Sequence, residues 1–314
     1  MRSILAVFAA ILVVPVVAPQ PARAESTVRL TAMHWNVSGG WKYRTAGASD
    51  LLVAKIFDTI DAVQPDFVAL NEVCQSQYAA LTSRLQNETG WPQDKGNFVR
   101  FQATRNATAS PDNPDVCNGK PVGIALLSRQ PLGTANRFKL AEQSALDADE
   151  KRHLLCAPTT TMRVRYCVTH ISPMEFSRVG KAQVNEVLAH VEDFEAAGDV
   201  VLTAGDFNAT PEWPELNVWY SPKVNTPANG GNIGAYREMD DADPRPCPGY
   251  GEATTVGNTT GGPCKTGTKI DLIFFRDDHL GGQMFGDSLP PSYCGGVLCS
   301  DHRIFYGWAD LNIL

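Results

Sequence analysis

The sequence predicts an α/β chain in which two mixed β-sheets pack face to face with helices outside. Three observations carry that expectation. The first third alternates strand, helix and strand, the centre is a run of short strands between turn residues, and a further helix then leads into more strands.

The elements follow in order. Val28-Arg29-Leu30-Thr31-Ala32-Met33 has the two-residue period of a strand, runs on through His34-Trp35-Asn36 and stops at Gly39-Gly40. Leu51, Leu52, Ile56, Phe57, Ile60 and Val63 recur at helical spacing, with Ser49 or Asp50 as the expected cap and Pro65 as the stop. "DFVALNEV" reads as a buried strand, and a second helix is expected from Gln75 to Asn87. "NFVRFQAT", "VGIALLSR", "TANRFKL", "RHLLCAP" and "RVRYCVTHIS" suggest meandering antiparallel pairs. Val179 to Phe194 is helical in period and leads into "VVLTAGDFN". Residues 221–268 read as one long loop, and "KIDLIFFR" and "HRIFYGWADL" as the final strands.

Residues 1–24 stand outside this pattern. Arg2, the apolar run Ile4 to Ala18 and Ala22-Arg23-Ala24 have the layout of a secretory signal cleaved near Ala24, which leaves residues 25–314 as one domain, secreted and acting as a monomer. All eight cysteines follow that point, and an even number in an exported chain favours disulfides over metal ligation. Chain order suggests Cys156 with Cys167, Cys294 with Cys299, Cys247 with Cys264 and Cys74 with Cys117. Without Arg2 and Arg23 the charge is about −9, which excludes a binder that works by phosphate neutralisation over a basic face. A nuclease stays open, because a cation held by carboxylates supplies positive charge locally.

Polar residues end or interrupt six apolar segments: Asn36, Glu72, His170, Asp206 with Asn208, Asp271, and Asp301 with His302. Singly, each fits a turn residue or a satisfied core histidine. Together they imply a cleft, and four carboxylates converging there call for a divalent cation bound by oxygen: Mg2+, or else Mn2+ or Ca2+. The triplets at Asn36 and Asn208 also fit glycosylation sequons, as do those at Asn87, Asn106 and Asn258. In "AGDFNAT" the strand is expected to hold Asp206 and Asn208 on one side while Phe207 turns into packing.

The ordered series "HWN", "LNEV", "VGIALLSR", "THIS", "GDFN", "KIDLIF" and "SDH" resembles the endonuclease/exonuclease/phosphatase superfamily across about residues 28 to 311. The resemblance implies a four-layer αββα sandwich with these motifs at one end, and it implies roles. Glu72 is the principal metal ligand, Asn36 orients it or a bound water, and Asp301 is a further metal-side carboxylate. Asp206 positions or deprotonates the attacking water, and Asn208 donates to the phosphoryl oxygen. His302 contacts phosphate with its tautomer fixed by Asp271, while His170 protonates or stabilises the leaving oxygen. Arg152 in "KRHLL" stands near the place of a phosphate-binding arginine, the alternative being an exposed strand arginine.

Departures from the pattern bear on substrate. The Tyr-x-Glu that supports the first histidine in pancreatic-type nucleases is missing between Asn97 and Asn118, where Arg100 and Arg105 are the basic candidates. The segment before "SDH", "LPPSYCGGVLC", is small for a membrane-inserting hairpin and suits a stapled loop, so no stable membrane insertion is expected. A nucleic-acid phosphodiester is the first expectation for substrate, a phospholipid the second and a soluble phosphomonoester the third; a catalytically silent binding module is the rival of another class.

Overall fold

The computed structural model describes residues 26–313 apart from 40–41, 43–45, 89, 93, 106–116, 118, 143–149, 174–178, 246 and 258–259. The expected leader and the sequons at Asn106 and Asn258 lie outside the described residues. In chain order the elements are β1 (Ser26–Asn36), α1 (Ala46–Val63), β2 (Phe67–Cys74), α2 (Gln75–Leu85), a single turn α3 (Lys95–Phe98), β3 (Val99–Arg105), β4 (Val122–Ser128), β5 (Asn136–Lys139) and β6 (His153–Pro158). The second half adds β7 (Val164–His170), α4 (Val179–Ala196), β8 (Val200–Asp206), β9 (Tyr236–Glu238), β10 (Asp271–Arg276), β11 (Leu280–Ser288), the hairpin β12 (Tyr293–Cys294) and β13 (Val297–Leu298), and β14 (Phe305–Ile313).

Two six-stranded mixed sheets result, ordered β11-β14-β1-β2-β4-β3 and β5-β6-β7-β8-β10-β9. Each has one parallel pair, β1 with β2 and β7 with β8. A parallel pair needs a crossover, which α1 and α4 provide. Leu30, Phe67 and Leu126 of the first sheet meet Tyr166, Leu202 and Ile273 of the second in one core, where Phe67 stacks on Tyr166 at 4.6 Å. The outer face of the first sheet buries Trp35 and Leu70 under Ile56, Ile60 and Leu81 of α1 and α2. That of the second buries Val201 and Cys167 under Val187 and Val191 of α4. The layers are therefore helix, sheet, sheet, helix.

This layout places the polar residues. Both parallel pairs end at the same edge, so Asn36 lies opposite Asn71 and His170 opposite Asp206, while β10 begins there with Asp271 opposite Asp206. Gly205 permits the close pairing of β7 and β8, since a Cβ would meet the Thr169 carbonyl oxygen at 2.2 Å.

Some details differ from the sequence expectations. α1 begins at Ala46, ahead of a Ser49 or Asp50 cap, because Ala48 already packs on the apolar cluster under the helix. β9 and β11 are additional strands: β9 has three residues, too few to show a period, and β11 carries three glycines and an irregular register against β14. All four cysteine pairs are those chain order suggested, and Cys156 faces Cys167 directly across β6 and β7. Among the described residues no helix is long and apolar enough to cross a membrane.

Candidate active site

Glu72 reaches the cleft through a backbone irregularity. β2 pairs regularly with β4 up to Leu70 and resumes at Val73, and Glu72 in between has φ 55°, a left-handed conformation that costs a residue with a Cβ. Asn71 in the same bulge accepts a hydrogen bond from the Asp206 amide at 2.8 Å, which ties the two sheets together at the site. Asn36 stands between the carboxylates: its Nδ2 donates to Glu72 Oε1 and to Asp206 Oδ2, each at 3.1 Å, and its Oδ1 accepts from the Ser38 amide. That pattern fixes the amide orientation. Burial, and then the like charge of Glu150, push the Glu72 carboxyl up to about 7.

Asp206 is 2% exposed and lies at the centre. Its Oδ2 is 3.5 Å from His170 Nε2 and 3.6 Å from His302 Nε2. Burial raises its pKa despite the opposing charge of His302. β8 ends at Asp206, so Asn208 is not held on the strand as the sequence suggested. A left-handed turn, φ 46°, brings it back, and its Nδ2 donates to the Ile171 carbonyl at 2.8 Å and lies 3.5 Å from His170 Nε2. Phe207 turns into packing against Trp219 and Phe274.

The two site histidines have opposite electrostatics. Burial opposes charge on His302, but Asp271 and Asp206 outweigh it and lift its pKa to about 10. Its Nδ1 is 2.8 Å from Asp271 Oδ2. Burial, then the positive charge of Arg152, hold His170 well below the ordinary histidine value. Asp271 would be raised by burial, yet His302 and His34 bring it below the carboxylate range.

The remaining expected residues fall as follows. Arg152 is buried, donating from Nε to Ser172 Oγ at 3.0 Å and from Nη1 to Glu150 Oε1 at 3.1 Å, so it is not an exposed strand arginine. The Asp301 carboxylate is 65% exposed and pairs with Lys42 at 3.3 Å, apart from the buried group. Arg100 spends its guanidinium on the carbonyls of Gly96, Val99, Leu132 and Gly133. The Asn36 sequon is buried in the cleft.

Three participants escaped sequence reasoning. Glu150 lies 3.9 Å from His170 Nδ1, supplying from the loop before β6 the carboxylate sought between Asn97 and Asn118. Asn71 sat inside a quoted motif beside the more conspicuous Glu72. His34, 2.9 Å from Asp271 Oδ1, occupies a core position by strand alternation, and that misplaced imidazole was its only signal.

An all-oxygen divalent cation fits this donor set. Among the described residues Asn36 is the only hydrogen-bond donor to the Glu72 carboxylate, and the half-buried Glu72 and Glu150 crowd negative charge beside the buried Asp206. Asp206, Asp271 and His302 also lie close enough to share an ion, but both Asp271 oxygens are already hydrogen-bonded to imidazoles. Glu72 is therefore the better anchor.

The sequence model of the Endonuclease/Exonuclease/phosphatase family matches residues 33–302. No curated protein matches the chain. Among solved structures, the human Nocturnin catalytic domain with bound sulfate is 19% identical, with a TM-score of 0.59, covering 91% of this chain and 97% of its own. Truncated Caenorhabditis elegans TDP2 is 14% identical at TM-score 0.57, covering 90% and 97%. D. rerio TDP2 complexed with a single-strand DNA product is 16% identical at 0.58, covering 89% and 98%. At these identities the likeness is one of fold.

Proposed function

The chain belongs to the Endonuclease/Exonuclease/phosphatase family, and from that premise we propose that it is an exported, divalent-metal-dependent phosphoesterase whose substrate is a nucleic-acid phosphodiester. The observation that carries the reaction is the placement of one buried carboxylate, Asp206, between a cationic imidazole and a neutral one.

Asp206 Oδ2 holds a water and takes its proton as the water oxygen bonds to phosphorus. The P–O ester bond breaks, and its electron pair goes to the leaving oxygen. His302, charged at neutral pH, contacts the phosphoryl oxygens and is the group able to give that oxygen a proton. Of the two services the sequence reading gave His170, to protonate or to stabilise the leaving oxygen, a neutral His170 performs the second, by hydrogen bonding. The Asn208 amide, which has a second N–H beyond the one given to Ile171, faces the same place and donates where charge accumulates. Glu72, oriented by Asn36, would hold the cation, which supplies positive charge at the phosphoryl oxygens. Mg2+ is the first choice, with Mn2+ and Ca2+ as oxygen-preferring alternatives. Asp301, whose carboxylate is exposed, would add a further carboxylate on the metal side.

The DNA product held by the D. rerio relative supports the nucleic-acid reading. One observation favours a phospholipid instead: Tyr293 and Val297 on the stapled hairpin are 63% and 61% exposed. A panel of plasmid DNA, RNA, sphingomyelin vesicles and inositol phosphates, each assayed with Mg2+ and with EDTA, decides. Cleavage of DNA or RNA that EDTA abolishes and Mg2+ restores is the expected result. Activity on vesicles alone would transfer the assignment to the second reading, and activity that survives exhaustive chelation would remove the cation.

A further inference from the structure

We propose that His34 is a positioning residue of this site, acting on His302 through Asp271; the proposal rests on the phosphoesterase reading. Leu30, Ala32 and His34 alternate along β1, and the first two belong to the apolar core between the sheets. An imidazole thus stands, fully buried, where the strand period calls for an aliphatic side chain. A buried polar group is costly unless it is hydrogen-bonded, so its partner matters. That partner is Asp271 Oδ1, 2.9 Å from His34 Nε2, and the other Asp271 oxygen is 2.8 Å from His302 Nδ1.

The tautomer follows from the surroundings. Nε2 carries the proton, because it faces a carboxylate oxygen. Nδ1 is buried and has no hydrogen-bond partner, so a proton there would be an orphan donor in the core. His34 is therefore a donor from Nε2 dedicated to one oxygen of Asp271. With Oδ1 engaged from β1, the carboxylate is restrained from swinging about its terminal torsion. Oδ2 stays aimed at His302 Nδ1, which keeps His302 Nε2 turned toward Asp206, 3.6 Å away. A filler of the core would need the volume of His34 but not its N–H.

The test separates donor from filler. In the wild-type protein labelled with 15N-histidine, NMR should find His34 protonated on Nε2 and bare on Nδ1; an Nδ1-protonated His34 would overturn the proposal without any variant. His34→Phe keeps a planar aromatic ring, slightly larger than imidazole, and removes the donor. It should move the His302 Nδ1–H resonance and lower kcat about 10- to 100-fold, the usual effect of losing such an outer partner, with KM nearly unchanged. His34→Gln, whose amide can donate to Asp271, should recover most of that loss. An unmoved resonance with wild-type kcat in folded His34→Phe, or a folded His34→Gln as impaired as His34→Phe, refutes the assignment. A wild-type protein that hydrolyses no phosphate ester, while its His302 resonance still responds to His34→Phe, would instead sink the phosphoesterase reading and leave the coupling standing.

Discussion

Replacing Asp206 by Asn tests the centre of the proposed chemistry, and the structure sets both magnitudes. Oδ1 accepts the Asn208 amide at 2.9 Å, a bond that the asparagine oxygen can keep. Oδ2 accepts from Asn36 Nδ2, and a new NH2 there would face that donor, losing a bond worth about 1 kcal/mol. Against this, burial raises the pKa of Asp206, so the folded state holds its proton more tightly than the unfolded chain does. At neutral pH the ionised group therefore costs stability, and the neutral amide removes that cost. The two effects oppose each other, and the thermal midpoint should move by no more than about 4 °C. Activity should fall by at least about 100-fold, since no acceptor is left for the water proton. Both quantities are to be measured on one preparation, by scanning calorimetry and by initial rates on plasmid DNA with Mg2+. A strongly destabilised Asp206→Asn protein with near-normal turnover would mean that Asp206 only closes the turn after β8, and would refute the reasoning.

Further expectations concern the surroundings of this centre. Glu150→Gln, which removes the carboxylate beside His170 Nδ1 and the partner of Arg152, should lower kcat about tenfold with little change in KM; steady-state kinetics showing wild-type turnover would deny it a part. The rate profile should rise with pH as Asp206 ionises, above the ordinary aspartate value, and fall near pH 10 as His302 loses its proton, so a kcat/KM that still climbs beyond that point contradicts a charged His302. Stability has a definite sign as well: the folded pKa of His302 lies above its ordinary value, so its contribution is whole below about pH 6.5 and is lost as pH rises through about 10, and denaturant titrations at the two ends should differ accordingly. Reducing Cys156–Cys167, which spans 11 positions between paired strands, should cost up to about 3 kcal/mol, and Cys156→Ala with Cys167→Ala melting like the parent would show the bridge to be idle.

How much of this was legible depends on what each residue's signal was. Strands with a regular period, such as β1 and β14, declare themselves, and so does the order of the motifs. β11 did not, because Gly281, Gly282 and Gly286 erase the alternation, and its place comes from pairing with β14, a contact that no local pattern encodes. The carboxylates and amides that terminate apolar strands were visible because a polar group there contradicts its surroundings. Glu150 was not, since an acidic residue among Asp147, Asp149 and Lys151 looks like ordinary surface, and only the fold carries it to His170. The division of the histidines into one charged and one neutral was equally hidden, because it is fixed by neighbours from other strands.

That division explains how the site tolerates its own charges. Asp206 and Asp271 are buried and Glu72 is half-buried beside them, and three ionised carboxylates so close would repel one another or take up protons. Asp271 avoids this with an imidazole on each oxygen, which makes it the most readily ionised of the three and leaves neither oxygen free of a partner. Its charge is spent on holding His302 protonated. Asp206 and Glu72 share the single Asn36 amide, with the Asn208 backbone amide added at Asp206, and both are shifted toward the protonated form. They are therefore the groups that gain most when positive charge enters the cleft, whether as a cation beside Glu72 or as the proton that Asp206 takes from water. The ionised pair of Asp271 and His302 is the fixed part of the site, and Glu72 with Asp206 is the part left unsatisfied for metal and substrate to complete.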